Sequence, residues 1–150
     1  MDRPLQDVLK VHCFGCGALN AHGLQIKSRW DGEDLLCKWR PGPQHIGHPG
    51  YVYGGIIASV VDCHSVWTAT AHRCREIGYS LDGGPPPFAY VTASLKIDYL
   101  KPVPIEGEME LRARLLESHE RKMLVGCRVL HGGIECASAE VVAVRVKPMA

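Results

Sequence analysis

The chain has 150 residues, 46% hydrophobic and 22% charged, with a formal net charge of +1 at pH 7, which predicts one soluble domain over residues 1–150 with enough chain for a sizeable core. No run of Lys and Arg exceeds two residues, so neither nucleic acid nor an anionic membrane surface is expected as a partner. No apolar run reaches the length of a membrane span, and the opening MDRPLQDVLK mixes acids with bases unlike a secretory leader; a cytoplasmic location is the expectation.

Residues 4–11 predict a short amphipathic turn of helix with Leu5, Val8 and Leu9 inward, ending at the glycine-rich loop HCFGCGALN. Seven cysteines are scattered at 13, 16, 37, 63, 74, 127 and 136. An odd, dispersed set reads as reduced thiols and not as a disulfide framework. Cys13 and Cys16 have metal-ligand spacing, with His12 and His22 nearby, yet no second Cys-x-x-Cys follows and a structural zinc site needs four ligands. No metal and no cofactor are therefore expected, and the pair is read as packing a loop.

Residues 24–30 and 33–39 predict two strands joined by the turn dipeptide Asp31-Gly32. The stretch PGPQHIGHPG is a loop by its Pro and Gly content, and it leads into a helix over residues 54–72 that begins with Gly54 and Gly55. A glycine pair lets backbone N–H groups approach a ligand closely, and the helix adds unpaired donors and partial positive charge at the same end, a suitable holder for a developing oxyanion. Asp62 stands eight residues after Gly54 among Ile56, Ile57, Val60, Val61, Val66 and Trp67, a nearly all-apolar helix that belongs in a core. An ionised group there needs a compensating partner. Donors and carboxylate are expected to flank one substrate carbonyl; the competing reading is an Asp satisfied by a serine or a neighbouring strand.

Asp82-Gly83-Gly84-Pro85-Pro86-Pro87 predicts a surface loop, and everything after it reads as strand. Over residues 88–101, Ala89, Val91, Ala93, Leu95, Ile97 and Tyr99 share one face while Tyr90, Thr92, Ser94, Lys96 and Asp98 share the other. Residues 108–116, 123–129 and 134–147 alternate likewise, the last two linked by His131-Gly132-Gly133. Short turns make consecutive strands antiparallel, and a sheet of five or six strands buries its inner face best by curling around the one apolar helix. The expected class is α+β, the hotdog fold. Its free edge strands and half-covered helix call for a second copy, so a homodimer or homotetramer is expected.

These residues resemble the PaaI-like branch of hotdog thioesterases, which hydrolyse acyl-coenzyme A. Cys13, Cys16, Gly17, Asn20, Gly23 and Leu24 fit its Cys-x-x-Cys-Gly-x-x-Asn-x-x-Gly-Leu pattern. Pro49, Gly50, Gly54, Gly55 and Asp62 follow its Pro-Gly-x-x-His-Gly-Gly turn and helical acid, and residues 99–104, YLKPVP, resemble its Tyr-x-[Arg/Lys]-Pro segment. The resemblance departs at Tyr53, where the family usually has His, and at Gly47, where many members place Asn or Gln.

What the resemblance implies is thioester hydrolysis. Gly54, with Gly55 nearby, would polarise the carbonyl, and Asp62 would act as general base toward water or as nucleophile. His45, His48 and Tyr53 are the candidates to replace the missing orienting group. Ser65 and Ser80 are the candidates for polar groups that members supply from a partner subunit. Lys96 and Lys101, with Arg73 and Arg75, are candidates for the coenzyme A phosphates, against the plainer reading of solvated surface charge. Two rival functions are an acyl-thioester binding or sensing module without turnover, and a dehydratase pairing Asp62 with a histidine across the cleft, for which His64 lies on another side of the helix.

Overall fold

Glycine turns fix the sheet. Gly32, Gly132 and Gly133 all take positive φ (67°, 57° and 79°), the backbone that two-residue hairpin loops of primed type demand. In the computed structural model, which describes residues 3–148, the elements are α1 (Leu5–Val8), β1 (Ser28–Asp31), β2 (Asp34–Trp39), α2 (Gly54–Ile77), β3 (Ala89–Tyr99), β4 (Met109–Ser118), β5 (Lys122–His131) and β6 (Ile134–Val146). Single 3-10 turns occupy Pro43–His45 and Leu81–Gly83. The six strands form one antiparallel sheet in the order β1-β2-β4-β5-β6-β3, curved around α2, which is the expected hotdog fold. No helix of the described residues is long and apolar enough to cross a membrane.

The helix α2 lays Ile57, Val60, Val61, His64, Thr68 and Ala71 against the sheet, a helical stripe that is fully buried. The opposite stripe, Ser59, Asp62, Val66 and Arg73, stays half-buried. The helix outruns the expected 72 by five residues. Cys74 is buried, the Arg75 guanidinium lies 3.4 Å over the Trp30 ring, and only Gly78, in the left-handed region at φ 70°, ends it. Conversely, β1 begins at Ser28 and not at 24. Gln25 takes φ 52° and its amide donates to the carbonyls of Asn20 and Ala18 (2.8 and 3.3 Å), closing the preceding loop.

In β3 the period-two reading breaks. Thr92 pairs with Ala143 but Ser94 with Val142, so one extra residue bulges between them and the faces exchange. Tyr90 and Thr92 before the bulge, and Tyr99 after it, therefore all face α2: the Tyr90 hydroxyl meets Arg73, Thr92 meets Asp62 and the Tyr99 hydroxyl meets Gly54.

Four elements are tied by a buried polar chain. Gln6 Nε2 donates to Ser28 Oγ (2.8 Å), the Ser28 N–H donates to Gln6 Oε1 (2.7 Å), and Ser28 Oγ lies 2.7 Å from His64 Nδ1. His64 Nε2 lies 3.0 Å from the Leu35 carbonyl, which accepts only, so Nε2 carries the proton and Nδ1 accepts from Ser28. Burial pushes His64 down to about 4, keeping it neutral near pH 7. Both ring nitrogens are thereby spent on the sheet side, in keeping with the expectation that His64 lies on another side of the helix from Asp62. Substituting His64→Leu leaves the buried Ser28 hydroxyl proton without its acceptor and removes the ring's bond to the Leu35 carbonyl. We expect a loss of about 3 kcal/mol, read as a lowered urea midpoint with an unchanged slope.

Candidate active site

The start of α2 is built by a loop that folds back on itself. The Gly47 N–H donates to the Tyr51 carbonyl (2.9 Å), the Tyr53 N–H to the His45 carbonyl (2.8 Å) and the Val52 N–H to the Val103 carbonyl (2.8 Å). Tyr53 is the N-cap, in extended backbone (φ −59°, ψ 132°), and gives no side-chain cap. The first N–H groups of a helix have no partner within it, and here the Ile56 and Ile57 donors turn to the Tyr53 carbonyl (3.0 and 3.2 Å), while the Gly54 and Gly55 donors take no backbone partner among the described residues. The Tyr99 hydroxyl donates to the Gly54 carbonyl (2.8 Å), fixing this end of α2 to β3.

A cleft of about 430 Å³ opens here, lined by His48, Tyr53, Gly54, Tyr99 and Lys101 among others. A Cβ placed on Gly54 would sit 3.5 Å from the Tyr99 ring, an ordinary contact, whereas one on Gly55 would run into the Tyr53 ring. The folded chain thus does not require glycine at 54, and an intolerance there must come from what enters the cleft. Burial and the neighbouring Tyr53 raise the Tyr99 phenol above its usual value, so it remains a donor.

Asp62 does not line this cleft. It is half-buried on the outer stripe of α2, where Thr92 Oγ1 donates to its Oδ1. Eight residues of helix separate it from Gly54, a rise of about 12 Å. A carbonyl held at the Gly54 N–H is beyond reach of the same chain's carboxylate, contrary to the expectation that the two flank one carbonyl.

Of the remaining sequence candidates, His48 and Lys101 reach the cleft with Tyr53. His45 is spent on the loop: the Gly42 N–H donates to its Nδ1 (2.8 Å), its ring packs on Trp39 (5.1 Å), and burial lowers its pKa. Ser65 is wholly buried on the sheet side, and Ser80 caps the 3-10 turn beyond the far end of α2, accepting from the Asp82 N–H (3.3 Å). Lys96 is exposed on β3 away from the cleft. Sequence reasoning missed Thr92 and Tyr99. Tyr99 carried a signal in its Tyr-x-Lys-Pro setting; Thr92 carried none, because the bulge inverts its face.

The Cys-x-x-Cys-Gly-x-x-Asn-x-x-Gly-Leu motif is a self-bonded loop. The Gly17 N–H donates to the Cys13 carbonyl (2.8 Å), Leu24 N–H to the Phe14 carbonyl (2.7 Å) and His22 N–H to Asn20 Oδ1 (3.0 Å). It lies directly on α2: a Cβ on Gly15 would collide with Cys63 Sγ. Cys13, Cys16 and Cys63 consequently hold their sulfurs within 4.8 Å of one another. The Cys63 thiol donating to Cys16 lowers the Cys16 pKa and raises its own. Elsewhere burial pushes Cys37 and Cys127 up to about 12, and they stay neutral.

Residues 49–138 match the family model described as thioesterase superfamily. Among solved structures, a thioesterase superfamily protein from Shewanella loihica is 37% identical, with TM-score 0.67 over 85% of this chain and 96% of that one. A thioesterase described as phenylacetic acid degradation-related, from Ralstonia eutropha, is 20% identical and shares the fold, with TM-score 0.66 over 81% and 85% of the two chains. Among curated proteins, the acyl-coenzyme A thioesterase THEM4 of Rattus norvegicus is 30% identical over 95 residues, 63% of this chain. The chain spans 35% of that relative's length.

Proposed function

Since the chain belongs to the thioesterase superfamily, we propose that it hydrolyses a small or medium acyl or aryl thioester of coenzyme A. The observation that carries this is the uncapped Gly54-Gly55 start of α2 at the head of a cleft. The Gly54 N–H, with Gly55 beside it, polarises the thioester carbonyl. Asp62 takes a proton from water as the water oxygen bonds to the carbonyl carbon; the carbon–sulfur bond then breaks, and the departing thiolate recovers the proton. Direct attack by Asp62, giving an anhydride that water cleaves, ends in the same acid and thiol.

The helix rise separates donors from carboxylate, so each site takes Gly54 from one chain and Asp62 from a second, in a homodimer or a homotetramer of such dimers. What supports this is a free sheet edge carrying exposed apolar side chains. β3 is an edge strand, and Val91, Tyr99 and Leu100 near it are 48%, 51% and 54% exposed. Lys101 at the cleft suits a coenzyme A phosphate. A cytoplasmic location belongs to the same reading, in keeping with seven free cysteines.

The second reading, an acyl-thioester binding module without turnover, is favoured by Thr92 engaging the Asp62 carboxylate and by Tyr53 at the position before the glycine pair. A panel of alkyl and aryl acyl-coenzyme A substrates, assayed for release of free thiol, separates the two. We expect turnover of at least one member; saturable binding across the panel with no thiol released would establish the module instead.

A further inference from the structure

We propose that Cys13, Cys16 and Cys63 form a three-sulfur site for a thiophilic cation of the zinc class. This inference is independent of the thioester reading. The expectation of no metal rested on the absence of a second cysteine pair downstream; the fold supplies the third sulfur from α2 instead. Metal bound to sulfur at about 2.3 Å in a tetrahedron sets its sulfurs about 3.8 Å apart, and Cys13 Sγ and Cys63 Sγ are 3.7 Å apart. No sulfur of the three is more than 4.8 Å from another, so closure onto one ion is a matter of side-chain rotation.

The backbone is shaped for this. Gly17 turns the loop so tightly that a Cβ there would collide with the Cys13 backbone, and Gly15 brings the loop onto Cys63 with no room for a side chain. Both sulfurs of the Cys-x-x-Cys turn are thus delivered to one point on α2. Cys16 is buried, Cys63 half-buried and Cys13 exposed, so an ion enters from the Cys13 side and water completes the fourth position. Binding replaces thiol protons by the ion and pins the loop to α2 one residue from Asp62.

The test is Zn2+ titration of the reduced, metal-free full chain against a chromophoric chelator, with Co2+ absorption reporting thiolate ligation. One equivalent is expected to bind in the submicromolar range. Cys13→Ser or Cys63→Ser should each weaken it at least about tenfold, while Cys136→Ser, remote from the loop, leaves it unchanged. Circular dichroism in chelator checks that the variants fold; if Cys63→Ser does not, Cys13→Ser, at an exposed position, decides. Wild-type affinity no tighter than that of Cys13→Ser, or cobalt spectra without thiolate bands, would overturn the proposal. So would a reduced chain that takes no Zn2+ and only forms a Cys13–Cys63 disulfide in air.

Discussion

Replacing Asp62→Asn is expected to lower kcat/KM for the best panel substrate by a factor of about a hundred or more, with the fold intact. Asn keeps an oxygen that accepts from Thr92, so the one contact the carboxylate makes to β3 survives while its basicity is lost. Thermal midpoints of the two proteins should therefore nearly coincide. Tyr53→Phe is the contrast. Tyr53 is 58% exposed at the cleft, and loss of its hydroxyl should move KM while leaving most of kcat. Wild-type turnover by Asp62→Asn would remove the carboxylate from the chemistry.

The elements of this fold were legible because its period-two strands and glycine turns are strong local signals. The hairpins at Gly32 and at Gly132-Gly133, the uncapped glycine start of α2 and the burial of its sheet-facing stripe all follow from residues close together in sequence. What was not legible depends on contacts between distant segments. A single bulged residue in β3, invisible in an alternating sequence, turns Thr92 toward Asp62. Cys63 joins Cys13 and Cys16 only because the motif loop is laid across α2, a juxtaposition of residues 50 apart. His64 reads as a polar residue on an apolar helix until Ser28 and Leu35 are brought to its two nitrogens. The spacing from Gly54 to Asp62 was legible, but its consequence is a matter of length: two turns of helix align two groups on a face and also hold them about 12 Å apart.

That distance gives the second large effect its force. Gly54→Pro deletes the N–H proposed to polarise the carbonyl and nothing else of structural importance. Proline is favoured at the first helical position, and Tyr53 already has the extended backbone that a following proline requires. Loss of one such donor is expected to cost about 3 kcal/mol in the transition state, on the order of a hundredfold or more in kcat. Melting should scarcely change. The two crippled proteins can then be combined. If each site takes its donor from one chain and its carboxylate from another, a hybrid of Asp62→Asn with Gly54→Pro has one site carrying both defects and one carrying neither. Random reassociation of equal amounts makes half the dimers hybrid, so about a quarter of wild-type activity should return. If donor and carboxylate served the same chain's site, every site in the mixture would carry a defect and no activity would return. Recovery would place two copies of α2 side by side, each completing the other's site; its absence would require one chain to bridge 12 Å of its own helix, about eight residues of rise.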